Sequence, residues 1–270
     1  MGPIWTENLT LILSFIFGTI VGSFLNVVSL RMNSGSTLGG RSKCMSCGKK
    51  LTWIELVPLF SFLAQRGVCR KCKSKISWQY PLVEFIAGVL FVLLFLTFPP
   101  LSNPQAVTTG IHIIIGCLLL VITVYDIKHK IIPDSLSYTF SGLALLSLFV
   151  GGSSWWHIPN IEALIAGPIL ALPFASLWLV SKGRWMGLGD AKLILGIGWL
   201  LGINAGINAL VLAFWIGAVV SVIWLYATYR SFKPKKEIPF GPYLILGMYL
   251  VLLFKITVID IGLVRMIMGW

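Results

Sequence analysis

Charged residues are scarce in this chain. They make up 11% of its 270 residues, whereas an ordinary soluble domain has about a quarter. Only nine residues are acidic and only three are histidine. Hydrophobic residues make up 57% of the chain, and the mean hydropathy is +0.91. This composition excludes a soluble domain and predicts an integral membrane protein with most of its length in lipid.

Long apolar runs take the place of the missing charge. A membrane-spanning helix needs roughly 17–25 such residues. The sequence predicts an all-α fold with about eight transmembrane helices, at 9–30, 82–98, 107–125, 135–152, 161–181, 191–205, 207–229 and 241–260. Proline, glycine, asparagine and serine mark the breaks between the runs. No basic region precedes the first run, so we expect no cleavable signal peptide.

The positive charge is unevenly distributed. The net charge is +12, and nineteen of the 21 lysines and arginines fall in the segments 31–81, 126–134, 182–192 and 230–240. The intervening loops 99–106, 153–160 and 203–206 carry none. Because lysine and arginine mark the cytoplasmic side of a membrane protein, these segments are expected inside and both termini outside. The charge therefore orients the chain in the bilayer, and we expect no nucleic-acid partner.

Four of the five cysteines form two C-x2-C pairs in the segment 31–81, namely Cys44, Cys47, Cys69 and Cys72. This spacing is typical of a zinc ribbon with four thiolate ligands. A reducing cytosol disfavours disulfides, and the neighbouring lysines favour thiolates. The pattern predicts a structural Zn²⁺ site, with redox-active or inert cysteines as the alternatives. Trp53 and Trp78 of the same loop are expected at the membrane interface.

Two carboxylates stand at the inner ends of predicted spans. Asp126 ends the third span, and Asp190 begins the sixth after Gly187 and Gly189. An ionisable group at such a position is costly to desolvate and by default indicates a functional site. Both are expected at one depth, and two adjacent carboxylates next to lipid share a proton more easily than they both ionise. Such a pair is suited to aspartic-protease chemistry, while metal binding, proton-coupled transport and a structural role remain open.

The other acidic residues give weaker signals. Glu84 lies near the inner end of the second span, where it could pair with a cation or bind a ligand. Asp134 follows Pro133 at the start of the fourth span, a position that predicts a helix N-cap. Neither a Ser-His-Asp order nor an H-E-x-x-H zinc signature competes with the aspartate pair.

Several motifs together resemble the type 4 prepilin leader peptidase family, whose active site belongs to the G-x-G-D membrane aspartic proteases. The resemblance covers nearly the whole chain. It rests on G-S-F-L-N-V-V at 22–28, the cysteine pairs, Y-P-L-V-E at 80–84, Asp126 with I-P-D at 132–134, G-L-G-D-A-K-L at 187–193 and P-F-G-P at 239–242. A lone G-x-G-D would not suffice, because presenilin-type proteases share it.

The resemblance implies an activity and roles for these residues. Members cleave the leader from type IV prepilins and type II secretion pseudopilins at the cytoplasmic face of the bacterial inner membrane. Asp126 and Asp190 would be catalytic, with Gly187, Gly189, Lys192, Asp134 and Glu84 in the supporting motifs. Many members also methylate the new N-terminus with S-adenosylmethionine, and the full cysteine loop resembles those members. The residues that would bind the methyl donor are not indicated, and neither is the oligomeric state.

The resemblance also implies a division of the chain. Residues 1–30 would form the first transmembrane helix, 31–81 the cytoplasmic zinc loop of a methyltransferase region with its flanking helices, and 82–270 the helical peptidase core. The rival interpretation is a membrane transporter or thiol-disulfide electron conduit, in which the cysteines cycle in oxidation state and the aspartates carry protons.

Overall fold

The structure is a computed structural model that describes residues 4–33, 39–150, 155–229 and 238–259. Their regular secondary structure is helical, and the strand-like pairing among them is limited to two isolated bridges, Lys43 with Lys50 and Val68 with Lys75. A 3-10 turn lies at Ile54–Leu56. The helices are α1 (Ile4–Arg31), α2 (Phe60–Ala64), α3 (Gln79–Thr97), α4 (Asn103–His129), α5 (Asp134–Ser147), α6 (Ile161–Ser181), α7 (Leu188–Tyr229) and α8 (Gly241–Phe254).

The longest helix, α7, consists of two spans joined without a loop. Gly202 interrupts it with φ 77° and ψ 179°, a conformation open essentially to glycine alone. A Cβ added to Gly206 would lie 4.0 Å from the Cα of Gly198, although eight residues of straight helix rise about 12 Å. The chain therefore doubles back at Gly202, as the predicted spans 191–205 and 207–229 require.

The predicted membrane architecture is confirmed. Five helices are long and apolar enough to cross a bilayer, namely α1, α3, α4, α6 and α7, and α8 is shorter but equally apolar. With α7 counted as two spans and α5 included, about eight helices match the predicted runs. The helices α5 and α8 are shorter than predicted because they end at Ser147 and Phe254. Most of the basic segment 230–240 lies outside the described residues.

The chain divides into two compact units, of which the first comprises Met1–Pro99 and His112–Val121. Its centre is the close packing of α1 on α3. A Cβ on Gly22 would lie 2.7 Å from the Cβ of Ala87, and one on Gly88 would lie 2.7 Å from the ring of Phe15. These glycines let the two helices approach closely. The cysteine loop between the two helices belongs to the same unit.

The second unit comprises Pro100–Ile111 and Ile122–Trp270. Here α7 packs against α5, α6 and α8. The ring of Phe140 lies against Gly196, and the backbone of Ala209 lies against Gly247. The core of this unit is apolar, with Phe140, Leu193, Ile197 and Met248 fully buried. The carboxylates of Asp126 and Asp190 both belong to it.

Candidate active site and metal centre

Asp126 is held in place by the start of α8. It lies in the last turn of α4 and is only 4% exposed. Its Oδ2 accepts a hydrogen bond of 3.1 Å from the backbone N–H of Gly241, the first residue of α8. The first N–H groups of a helix have no partner within the helix. One such group therefore binds the buried carboxylate.

Asp190 is the third residue of α7 and is half-buried. Its carboxylate interacts electrostatically with that of Asp126. The loop residue Gly187 lies beside it, since a Cβ at Gly187 would be 3.7 Å from Asp190 Oδ2. The structure thus brings together the two carboxylates that the sequence places at one depth.

Ile132 packs between the glycines of this site. A Cβ on Gly189 would lie 2.9 Å from the Cβ of Ile132. A Cβ on Gly241 would lie 3.2 Å from Ile132 Cδ1 and 2.6 Å from Asp126 Oδ2. Side chains at either position would push Ile132 or the carboxylate away. The glycines are needed for close packing around the aspartates.

Asp134 and Lys192 form an ion pair that joins α5 to α7. Lys192 Nζ lies 2.8 Å from Asp134 Oδ1 and 4.8 Å from the centre of the Tyr138 ring. The prediction that Asp134 is an N-cap is wrong. Pro133 precedes the helix, Asp134 is its first residue, and no side chain caps it. The carboxylate of Asp134 instead pairs with Lys192 of α7.

The aspartate pair has the features needed for acid–base chemistry. Two carboxylates that interact across a buried site can hold one proton between them at neutral pH. The carboxylate form can accept a proton from water, and the carboxylic acid form can donate one. Because the two groups titrate jointly, the proton belongs to the pair.

The four predicted cysteine ligands converge. Their sulfur atoms all lie within 4.8 Å of one another. Cys44 Sγ and Cys72 Sγ are 3.8 Å apart, which equals the edge of about 3.8 Å expected for a tetrahedron with Zn–S bonds of about 2.3 Å. The residues therefore fit a zinc ion, and a site closed by four thiolates would be structural.

The thiols of this cluster differ in acidity. Backbone N–H groups of Cys47 and Ser46 lower the pKa of Cys44 to about 6. At Cys47 the backbone N–H of Lys49 favours the thiolate, but desolvation and the neighbouring thiols outweigh it and raise the pKa to about 11. Adjacent thiolates repel one another, so all four can ionise together only beside a cation.

Glu55 fixes the segment after the first cysteine pair. It is 5% exposed, and its Oε1 lies 2.8 Å from Lys49 Nζ. Its Oε2 accepts hydrogen bonds from the backbone N–H and the hydroxyl of Thr52. The bond from Lys49, followed by the Thr52 N–H, lowers the pKa of Glu55 to about 2. The carboxylate is therefore ionised at neutral pH and belongs to the structure of the loop.

Glu84 has partners other than the cation considered from the sequence. It lies on α3 and is buried. Its Oε2 accepts a hydrogen bond of 2.8 Å from the backbone N–H of Leu59, and the Ser23 hydroxyl bonds to the same carboxylate. Among the described residues, these contacts tie the cysteine loop and α1 to α3.

Two family models match this chain in succession. The bacterial peptidase A24 N-terminal domain matches residues 16–98, which include the four cysteines and Glu84. The type IV leader peptidase family matches residues 113–222, which include Asp126 and Asp190. Similarity to whole proteins decides the assignment. A prepilin leader peptidase/N-methyltransferase of Xanthomonas campestris is 30% identical over 274 residues, covering 90% of this chain and 91% of the relative.

This chain belongs to the type IV leader peptidase family. Other family members of the same name are similar across most of the chain. The protein of Myxococcus xanthus is 34% identical over 83% of this chain and 65% of its own length, and that of Bacillus subtilis is 28% identical over 91% and 95%. No solved structure matches the chain.

One contact of the aspartate pair was missed from the sequence. The P-F-G-P segment at 239–242 indicates only the start of the last span, whereas Gly241 bonds to Asp126 across 115 residues of sequence. The sequence feature that could have indicated this contact is the glycine of the P-F-G-P segment. It stands at a helix start, where a side chain would be an obstacle. The pairing of Asp134 with Lys192 was also missed, because a local sequence pattern does not predict contacts between distant segments.

Proposed function

We propose that this chain is a membrane aspartic endopeptidase that cleaves the leader peptides of type IV prepilins and of type II secretion pseudopilins. The observation that carries the proposal is the interacting pair of Asp126 and Asp190, at the ends of two membrane helices in one compact unit. The names of the relatives support the same activity. The relatives give no support to a transporter or a thiol-disulfide conduit.

The reaction proposed for the pair is hydrolysis of a peptide bond. One carboxylate takes a proton from a water molecule while the water oxygen bonds to the carbonyl carbon. The other, as the acid, donates its proton to the carbonyl oxygen. When the intermediate collapses, the C–N bond breaks and a proton passes to the leaving amine. No covalent bond to the enzyme forms.

The orientation and the domain roles belong to the same proposal. The multi-pass chain would lie in the bacterial inner membrane with the cysteine loop and both aspartates on the cytoplasmic side, which the distribution of lysine and arginine supports. Residues 31–81 with their flanking helices would form the methyltransferase region and 82–270 the peptidase core.

N-methylation of the new N-terminus with S-adenosylmethionine is the second proposed activity. It is supported by the names of the relatives. Zinc fits the four cysteines and would stabilise the fold of this region.

The experiment is a cleavage assay in lipid nanodiscs with a prepilin that has a basic leader, a glycine at the junction and an apolar helix. Asp126→Asn and Asp190→Asn should each abolish cleavage and leave the zinc content unchanged. The matched control is Glu162→Gln, since Glu162 is an exposed carboxylate in the first turn of α6. Cleavage that survives both aspartate changes would refute the proposal. The mass of the product N-terminus tests methyl transfer separately.

A further inference from the structure

A hydrogen bond fixes the cysteine loop at the edge of a membrane span. The N–H of Leu59 donates to Glu84 Oε2, and Glu84 lies about 7–8 Å along α3 from its first residue, Gln79. With 19 residues, α3 is about 28 Å long and no longer than the hydrocarbon core of about 30 Å. Its first turns therefore lie at the edge of the bilayer, and Leu59 lies at the same depth.

The short helix α2, which begins one residue later, has two distinct faces. Phe62 is buried, and its ring centre lies 4.8 Å from that of Trp78, the residue before α3. Phe60 and Leu63 share the other face, since residues three apart are neighbours on a helix. They are 61% and 70% exposed. Two large apolar side chains therefore project from a segment that lies at bilayer depth.

The surroundings of α2 are positively charged. The segment 31–81 contains ten lysines and arginines but a single acid, Glu55, which is buried against Lys49. Arg66 is the second residue after α2 and is exposed. Lys75 is also exposed and is held near α2 by its bridge to Val68. Such a surface complements anionic lipid headgroups.

We propose that α2 is an interfacial anchor. Phe60 and Leu63 enter the boundary between headgroups and acyl chains, and Arg66 and Lys75 bind the phosphates of anionic lipids. Five residues would bind a membrane weakly alone, but the loop is attached at both ends to the spans α1 and α3, so its local concentration at the surface is high. The anchor sets the height of the cysteine cluster above the bilayer. It is independent of the proposed peptidase chemistry.

The test uses the full chain in nanodiscs of phosphatidylcholine and phosphatidylglycerol. The photoreactive residue benzoylphenylalanine replaces Phe60, Leu63 or, as the control, Met45. Met45 is an 82% exposed apolar residue on the first cysteine pair, and Glu84 does not fix it at bilayer depth. After irradiation, mass spectrometry identifies the adducts, and the zinc content of each preparation reports an intact loop.

Lipid adducts are expected at positions 60 and 63 in yields about fivefold above that at 45, because an interfacial side chain is immersed among lipids. Equal yields at all three positions, or adducts to a second protein, would overturn the proposal. Phosphatidylglycerol should be enriched among the adducts by about fivefold for each of the two cations, as each cation at the surface is worth about 1 kcal/mol. Arg66→Asn with Lys75→Gln should remove this enrichment. Enrichment that persists would refute the phosphate contacts.

Discussion

The backbone N–H of Gly241 and the carboxylate of Asp126 form a hydrogen bond of 3.1 Å that connects α8 to the last turn of α4. The bond leaves no room for a side chain, because a Cβ on Gly241 would lie 2.6 Å from Asp126 Oδ2. The position of one proposed catalytic carboxylate thus depends on a residue that has no side chain and takes no part in proton transfer.

Gly241→Ala should therefore displace the Asp126 carboxylate and impair cleavage. A misplacement of about 1 Å in a catalytic group can lower a rate by about 100-fold. We expect a loss of that order in kcat, with a smaller change in KM, measured on a prepilin substrate in nanodiscs. The control is Gly142→Ala, which places a methyl group on an exposed part of α5 with nothing within 4 Å. Equal activity of the two variants would contradict the positioning role.

The ion pair of Lys192 and Asp134 should make a small contribution to stability, because Asp134 is 68% exposed. We expect a coupling free energy of roughly 0.5–1 kcal/mol, typical of a partly exposed pair. A double-mutant cycle with Lys192→Met and Asp134→Asn measures it by thermal unfolding in detergent. Strict additivity of the two changes would show that the pair is not coupled.

Zinc binding should depend on the four clustered cysteines and not on the fifth. Cys44→Ser or Cys72→Ser should reduce the zinc content of the purified protein from about one ion per chain, since each removes one of four ligands. Cys117→Ser is the matched control because Cys117 lies within α4, away from the cluster. Metal analysis of the three proteins decides the matter. A full zinc content in the Cys44 and Cys72 variants would exclude the site.

Glu55 should stabilise the loop in a pH-dependent way. Its pKa is about 2 in the folded loop and about 4.3 when unfolded. The contribution of the ionised form is therefore fully present above about pH 4.5 and is lost as the pH falls towards 2.

Glu55→Gln should accordingly increase proteolysis of the loop at neutral pH, by an amount corresponding to roughly 1–3 kcal/mol. Limited proteolysis of wild type and variant side by side, with an acid-stable protease at low pH, cancels the common effect of acid on zinc binding. The difference between them should disappear between about pH 4.5 and 2. A difference that stays constant over this range would contradict the role assigned to the ionised carboxylate.

The sequence predicted the elements that local patterns determine. The apolar runs predicted the spans, and the break near Gly202 correctly separated the sixth span from the seventh. The C-x2-C spacing predicted the four sulfur atoms that converge in the structure. Asp126 and Asp190 came together because each stands at a helix end on the same predicted side. Local periodicity and charge distribution are sufficient for these features.

The contacts that the sequence did not predict are between segments far apart. Leu59 bonds to Glu84, and Gly241 bonds to Asp126, in each case through a backbone N–H that carries no residue-specific signal. Asp134 was expected to cap its own helix, but Lys192 lies within reach across the helix pair. Propensity favours a cap at such a position, and tertiary packing overrides it.

The doubling back of α7 at Gly202 has a consequence for biosynthesis. The first half, residues 188–201, is about 21 Å long, too short to remain across a bilayer by itself. No loop separates it from residues 203–229, so the insertion machinery meets both halves as one hairpin. The hydrophobicity of the second half then drives the first into lipid. Asp190 lies at the start of the first half, and the hydrophobicity of the second half offsets the free-energy cost of bringing its carboxylate to the membrane.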